Sequence, residues 1–117
     1  VLRKWPCRQF VFPRPYGHNG PMPVLHIEHR IADLDTWLQD FASRVPAREE
    51  AGVTAVRVLQ ADDDPHYIVE LVFFDTVGAA QNYRTFLREQ VWLSSTPGLA
   101  GDPHARILHE VETASSA

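Results

Sequence analysis

Histidine is the residue type in this 117-residue chain best suited to acid–base chemistry, because its side chain titrates near neutral pH. Of the six histidines, His29 and His109 lie in segments where apolar and polar residues alternate, as in a half-buried strand. Both occupy the apolar positions, so both are expected on the side of a sheet that helices would cover. They are candidates for a general acid or base there, and hydrogen bonding at the edge of the core is the alternative role.

The run His26, Glu28 and His29 contains three side chains of the kinds that bind metal ions. On a strand His29 points away from the other two, so they cannot form one three-ligand site. The expected strand pairing leaves His29 and His109 about four residues apart, at roughly 3.3 Å per residue, so they cannot share an ion. The single cysteine, Cys7, excludes an internal disulfide and a multi-cysteine metal site. We therefore predict no metal site and no cofactor.

Aromatic side chains are numerous enough to enclose a flat ligand beside these histidines. The predicted helices contribute Trp37, Phe41, Tyr83, Phe86 and Trp92, and the predicted strands contribute Tyr67 and Phe73. Tyr83 or Trp37 would orient a bound ring, and Tyr83 joins the two histidines as a candidate catalytic residue. The same side chains also suit the hydrophobic core that a domain of this size needs. A binding pocket and a filled core therefore both remain open.

Four strands and two helices must position these residues. Apolar alternation predicts strands, and Asp33 and Thr76 are typical N-cap residues before apolar stripes at helical spacing. The acidic run 62–64 before Pro65 predicts a turn. The predicted strands cover residues 24–31, 53–60, 66–74 and 104–112. The predicted helices cover residues 33–45 and residues from 76 to either 92 or 94.

The order of these elements, βαββαβ, predicts a ferredoxin-like α+β fold with two helices on one face of a four-stranded antiparallel sheet. We expect the first and third strands to be central and parallel to each other. The residue parity of the third strand places Tyr67 and Phe73 on the helix side. The same parity places Ile68, Glu70 and Val72 on the opposite face.

That opposite face carries charges that can be matched across strands. The expected pairing puts Glu28 opposite Arg106 and Arg57 opposite Glu70. Matched charges between apolar residues suit a sheet that is covered by a second sheet, and an ordinary solvated face is the alternative. We predict a homodimer through this face. The predicted interface residues are Glu28, Arg57, Ile68, Glu70, Val72, Arg106 and Leu108.

The first 21 residues differ in character from the rest of the chain. They carry four basic and no acidic residues, four prolines and no strand or helix pattern, whereas the remainder has 7 basic and 15 acidic residues. We interpret residues 1–21 as an irregular arm, 22–112 as the domain and 113–117 as a tail. The expected functional unit starts at Met22. The acidic domain disfavours nucleic-acid binding.

Further function classes are excluded by what the sequence lacks. The chain has no apolar run of the roughly 20 residues needed to cross a bilayer and no signal-peptide pattern at its start. The chain also lacks a glycine-rich phosphate loop, a nucleophile elbow and a Cys/His pair. Together with the single cysteine, these absences predict a cytoplasmic protein without membrane contact.

Several segments carry a resemblance to a known family. They are 24–31 with the following Asp33-Leu34-Asp35-Thr36-Trp37, Asp64-Pro65-His66-Tyr67, Phe74-Asp75-Thr76 and Pro103-His104-Ala105-Arg106-Ile107-Leu108. Over residues 22–112 the chain resembles small bacterial proteins of the dimeric α+β barrel superfamily, which includes antibiotic-biosynthesis monooxygenases. The resemblance implies a ferredoxin-like protomer whose sheet packs on the sheet of a partner copy.

The resemblance also implies candidate activities. The favoured one is a cofactor-independent monooxygenase that acts on an aromatic or quinol-like small molecule, with His29 or His109 as base. A non-catalytic dimeric binding or structural protein is the alternative, and a cyclase or isomerase is less favoured. In haem-degrading relatives a helix supplies the axial histidine. Neither 33–45 nor 76–95 contains a histidine, so haem binding is also less favoured.

Overall fold

The computed structural model describes residues 16–17, 20–93 and 99–112. The strands are β1 (Tyr16–Gly17), β2 (Gly20–Pro21), β3 (Pro23–Ile31), β4 (Val53–Ala61), β5 (Asp64–Phe74) and β6 (Leu99–His109). The helices are α1 (Leu34–Ser43), α2 (Val45–Ala51) and α3 (Val77–Phe86). β1 and β2 pair with each other inside the segment predicted to be irregular. The rest of the predicted arm and the predicted tail 113–117 lie outside the described residues.

The main sheet has the strand order β4-β5-β3-β6 and is antiparallel throughout, which confirms the predicted ferredoxin-like α+β fold. The expectation of parallel central strands is wrong, because β3 and β5 run antiparallel with Leu25 opposite Val72. The reason is topological. β5 follows β4 through a hairpin turn at Asp62 and Asp63, and β4 returns from its helical crossover parallel to β3.

The helices lie on one face of this sheet. Asp33 caps α1 by accepting a 2.8 Å hydrogen bond from the backbone N–H of Thr36. The predicted helix 33–45 is two helices, because the chain bends at Arg44 and α2 continues with Pro46 in its first turn. A proline is well tolerated there, since the first N–H groups of a helix have no intrahelical acceptor. Among the described residues no helix is long and apolar enough to cross a membrane.

The second predicted helix changes its hydrogen bonding near its end. α3 starts after Thr76, whose side chain accepts from the N–H of Ala79, and it is followed by a π-helical turn over Leu87–Val91. The Trp92 N–H donates to the Leu87 carbonyl at 2.7 Å, which closes this wider turn. Such turns occur mostly as local insertions and often lie at functional sites. Here the turn places two buried side chains, Leu87 and Val91, under the helix layer.

The parity predicted for β5 is wrong. Ile68, Val72 and Phe74 are at most 1% exposed and lie under the helices, whereas Tyr67 and Phe73 are half-buried on the opposite, open face. Apolar residues occupy both sets of alternating positions in β5, so the sequence of this strand alone does not determine which side faces the helices. The pairing of β5 with β3 determines this face. Ile68, Glu70 and Val72 lie opposite His29, Ile27 and Leu25, respectively, and therefore point to the same side of the sheet. These three β5 residues therefore lie on the helix side of the sheet and not at the predicted interface.

The predicted charge pairs on the open face are also wrong. Glu28 lies opposite His104, Arg106 opposite His26, and Arg57 opposite Leu71. Arg57 misses Glu70 by one residue, because Val58 lies opposite Glu70 in the β4–β5 ladder. For Glu28 and Arg106 the difference arises because β6 begins at residue 99, inside the predicted loop, and residues 101–103 lie across from His29 alone. Gly101, at a φ of 83°, provides the left-handed conformation that this bulge requires. On the open face, Glu28 instead accepts a hydrogen bond from the Tyr67 hydroxyl.

Candidate active site

A cleft lies between the helix layer and the sheet, where α1, α2 and the π-helical turn approach β3 and β5. Its volume is about 390 Å³ when the open mouth is included, and its enclosed part has room for about two water molecules. The lining residues are His29, Trp37, Asp40, Phe41, Arg44, Arg48, Glu70, Tyr83, Leu87, Val91 and Trp92.

A hydrogen-bonded histidine–glutamate pair forms the floor of the cleft. The Nε2 atom of His29 lies 3.0 Å from a carboxylate oxygen of Glu70. The His29 side chain is 2% exposed and the Glu70 side chain 14% exposed, so water hardly competes for this contact. The second ring nitrogen of His29, Nδ1, is buried and has no hydrogen-bond partner among the described residues. The pair therefore leaves a single buried ring nitrogen available for a ligand.

A buried cation and a phenol lie beside this pair. Arg48, on α2, is 2% exposed, and Tyr83, on α3, is 4% exposed. Burial lowers the pKa of Arg48, while the neighbouring Tyr83 and Glu70 oppose that shift. Burial raises the pKa of Tyr83 to about 12 against the opposing charge of Arg48, with which it shares a hydrogen bond. At neutral pH the cleft thus holds a guanidinium cation and a neutral phenol.

Aromatic rings form one wall of the cleft. Trp37 and Phe41, one helical turn apart on α1, stack with 5.1 Å between ring centroids. The His29 ring lies 5.3 Å from Trp37 in a tilted arrangement. The Arg48 guanidinium carbon lies 3.8 Å above the centre of the Phe41 ring, a cation–π contact. The wall thus offers flat apolar surface next to the buried histidine.

Polar and apolar groups share the rim of the cleft. Asp40 on α1 and Arg44, the residue that follows the end of α1, form an ion pair there. The π-helical turn brings Leu87 and Val91 into the lining, and Trp92 follows directly after it. Because Asp40 neutralises Arg44, the charge next to the His29–Glu70 pair is mainly that of Arg48.

The structure brings together part of the predicted site. His29, Tyr83, Trp37, Phe41 and Trp92 line the cleft as a group. The other predicted residues lie elsewhere. His109 is exposed and pairs with Pro23, six residues along β3 from His29, while Tyr67 and Phe73 lie on the open face. Phe86 stacks on Tyr83 at 5.9 Å within the core and does not line the cleft.

Four polar lining residues are missing from the predicted pocket, and one of them, Glu70, is predicted at the dimer interface instead. The four are Asp40, Arg44, Arg48 and Glu70. Glu70 carries a usable signal, because it is a lone acid within the apolar run Ile68–Phe74 and a buried carboxylate needs a partner. Arg48 lies in a segment of helix-forming residues between Pro46 and Gly52, which is typical of a short helix. Nothing in the spacing of Asp40 and Arg44 distinguishes them from an ordinary surface pair.

The geometry suits proton transfer next to a flat ring. A neutral histidine that donates from Nε2 to a carboxylate keeps a lone pair on Nδ1, and that lone pair can take a proton from an acidic hydroxyl. The aromatic wall provides the surface on which a ring would pack. Arg48 would stabilise an oxyanion formed nearby, because its charge is buried and poorly screened.

The raised pKa of Tyr83 gives a testable pH dependence. The unfolded phenol ionises near pH 10 and the folded one near pH 12, so the unfolded state loses its proton first and stability falls across this interval. By pH 11 the loss is about 1.4 kcal/mol. Urea unfolding at pH 8 and pH 11 should show a loss in the wild type that is larger by about this amount than the loss in Tyr83→Phe. Tyr67→Phe, the control on the open face, should retain most of the loss of stability between pH 8 and pH 11. Equal losses in the wild type and Tyr83→Phe would refute the assignment.

Comparisons with known proteins place the fold among solved structures. No protein-family model matches the chain, and no curated protein is significantly similar to it. A candidate antibiotic biosynthesis monooxygenase from Bordetella bronchiseptica matches with a TM-score of 0.60 at 14% identity, covering 78% of this chain and 98% of that one. The ActVA-Orf6 monooxygenase of Streptomyces coelicolor, solved in complex with nanaomycin D, matches with a TM-score of 0.57 at 17% identity and coverages of 82% and 93%.

A Nitrosomonas europaea protein of unknown function matches with a TM-score of 0.54 at 15% identity, covering 82% of this chain and 95% of that one. At these identities the likeness concerns the fold. The chain has the ferredoxin-like α+β fold of the antibiotic biosynthesis monooxygenase-like structures.

Proposed function

We propose that this protein is a cytoplasmic, homodimeric monooxygenase that works without a cofactor on an aromatic or quinol-like small molecule. The observation that carries the proposal is the cleft, in which a buried histidine hydrogen-bonded to Glu70 lies against stacked aromatic rings. A structural neighbour that is a monooxygenase with a bound ligand adds support.

The proposed reaction starts with transfer of a phenolic proton from the substrate to Nδ1 of His29. The resulting phenolate gives one electron to O₂, and the substrate radical and superoxide combine at a ring carbon that carries a hydrogen. The peroxide anion takes back the proton from His29 and becomes a hydroperoxide. Loss of water then leaves a quinone carbonyl, so the substrate supplies the electrons and each turnover consumes O₂ and releases water. In this scheme Arg48 stabilises the phenolate, and Trp37 and Tyr83 position the ring.

An oxygen electrode tests this function directly. We expect protein-dependent oxygen uptake with a panel of naphthols and hydroquinones, and incorporation of ¹⁸O from ¹⁸O₂ into the quinone product. The methyl ethers of the same compounds should give no uptake, because they have no acidic hydroxyl. Heat-unfolded protein serves as the blank for spontaneous oxidation. Absence of uptake across the panel would refute the proposed activity.

A second candidate is a non-catalytic binding or structural protein, and the size of the cleft favours it. The enclosed part has room for about two water molecules, so an aromatic ligand requires Trp37, Phe41 or Trp92 to move outward. Isothermal titration with the same naphthols separates the candidates. Binding without oxygen uptake supports a binding protein, and neither binding nor uptake supports a structural one.

The open face of the sheet is the basis of the proposed homodimer. It carries half-buried Val69, Leu71 and Phe73, together with two more exposed leucines, Leu59 at 46% and Leu108 at 39%. An apolar sheet face of this kind is stabilised when a second sheet covers it. Of the residues predicted for this interface, Glu28, Arg57, Arg106 and Leu108 remain on this face.

Leu108→Arg should dissociate the dimer. An arginine at this position would place an unmatched charge within the covered face, which costs several kcal/mol. The matched control is Leu38→Arg on α1, because Leu38 has nearly the same exposure, 37%, on the other side of the protein. Light scattering should give a dimer for the wild type and Leu38→Arg and a monomer for Leu108→Arg. A monomeric wild type at micromolar concentration would contradict the proposed assembly.

A further inference from the structure

We propose that Glu70 is a positioning residue that holds His29 in the Nε2–H tautomer and so reserves Nδ1 as the hydrogen-bond acceptor for a ligand's hydroxyl group. This inference rests on the proposed function for the identity of the ligand. The statement about the tautomer rests on the contacts of His29 alone.

The contact with Glu70 decides which ring nitrogen carries the proton. An ionised carboxylate has only acceptor oxygens, so the 3.0 Å contact requires that Nε2 of His29 donates. A carboxylate that fixes the orientation and tautomer of a histidine in this way is a recurring element of catalytic sites. Ile27 lies opposite Glu70 and His29 opposite Ile68 in the β3–β5 ladder, so the backbone register itself sets the pair.

The other ring nitrogen has no partner in the described part of the chain. Nδ1 of His29 is buried, and a proton on it would be a buried donor without an acceptor. Without a proton, Nδ1 can accept a hydrogen bond from the hydroxyl group of a phenol or quinol. Opposite His29, β6 forms a bulge at residues 101–103, so the regular pairing of β6 with β3 is interrupted beside this histidine.

The charged and titratable groups around the ring agree with this assignment. Those facing the cleft are Asp40 on α1, Arg44 between α1 and α2, Arg48 on α2, Glu70 on β5 and Tyr83 on α3. Arg48 interacts electrostatically with Glu70, the carboxylate that accepts from Nε2.

Nuclear magnetic resonance of ¹⁵N-histidine-labelled protein tests the tautomer without any assay of activity. Long-range ¹H–¹⁵N spectra at pH 8 distinguish a protonated from an unprotonated ring nitrogen. We expect a single species for His29, with a proton on Nε2 and none on Nδ1. A proton on Nδ1, or a mixture of tautomers in the wild type, would overturn the proposal even if the protein proves to be an oxygenase.

Glu70→Gln tests whether the carboxylate is the cause. The amide has nearly the same shape, yet its NH₂ group can donate to the ring and stabilise the opposite tautomer, so a mixed population is expected. Oxygen uptake should fall by up to about 10⁴-fold, the loss caused by replacing the carboxylate of a catalytic triad with its amide. Glu50→Gln is the matched control, because Glu50 is exposed on α2, and it should change neither readout. An unchanged tautomer in Glu70→Gln would overturn the role of Glu70.

The acceptor role of Nδ1 has its own probe. Phenol at millimolar concentration should shift the Nδ1 resonance of His29, and anisole, which lacks the hydroxyl hydrogen, should not. A shift with phenol in a protein that consumes no oxygen would support the acceptor site while refuting the oxygenase. Equal responses to phenol and anisole, or no response to either, would overturn the assignment of Nδ1 to a hydroxyl ligand.

Discussion

Replacement of His29 by alanine should reduce oxygen uptake by about 10²- to 10⁴-fold, which is the range over which a general base contributes to a reaction rate. The expectation follows from the location of His29, which is 4% exposed, lines the cleft and has one ring nitrogen without a partner. The rate per folded molecule is the quantity to compare, because loss of the His29–Glu70 hydrogen bond also lowers stability. Circular dichroism melts supply the folded fraction.

His109→Ala is the control for this experiment. His109 has the same side chain but is exposed near the end of β6, opposite Pro23, and should keep full activity. Added imidazole should restore part of the rate of His29→Ala, because the truncation leaves space for a free base. Full turnover by His29→Ala, or equal losses in both variants, would end the assignment of His29 as the base.

The sequence predicts the fold and one part of the site for identifiable reasons. Asp33 and Thr76 cap helices as expected, since their side chains accept hydrogen bonds from nearby backbone N–H groups. The alternation in 24–31 places His29 on the helix side, because only one parity of that strand is apolar. The aromatic cluster on α1 follows from its helical spacing. These are local properties that neighbouring residues determine.

The remaining part of the site depends on pairing between distant residues. Glu70 is predicted on the wrong face, because β5 is apolar at both parities and only its register with β3 chooses between them. His109 is predicted in the pocket because its parity is right, but its distance from His29 depends on the β3–β6 register, which puts His109 opposite Pro23. Neither the register nor the bulge has a signal within a single strand. For this reason the sequence predicts His29 in the pocket but not Glu70, its carboxylate partner.

Two adjacent phenylalanines allow the face assignment of β5 to be tested. Phe74 is fully buried beneath the helices and contacts Tyr83 with 5.8 Å between ring centroids, whereas Phe73 is half-buried on the open face. Phe74→Ala should cost about 3–5 kcal/mol, since a buried ring is lost and a cavity remains. That loss corresponds to a fall in melting temperature of at least about 12 °C for a domain of this size.

The matched change Phe73→Ala should differ from Phe74→Ala in the amount of stability lost and in how that loss depends on protein concentration. In the monomer it removes a side chain that is already partly hydrated, so its cost should be smaller than that of Phe74→Ala. In the proposed dimer it also weakens association, so its melting temperature should depend on protein concentration more steeply than that of the wild type. Melting curves at several concentrations separate these effects, because the loss in Phe74→Ala arises within one protomer. A larger concentration-independent loss for Phe73→Ala than for Phe74→Ala would mean that β5 presents the opposite face to the helices, and Glu70 could then not be the partner of His29.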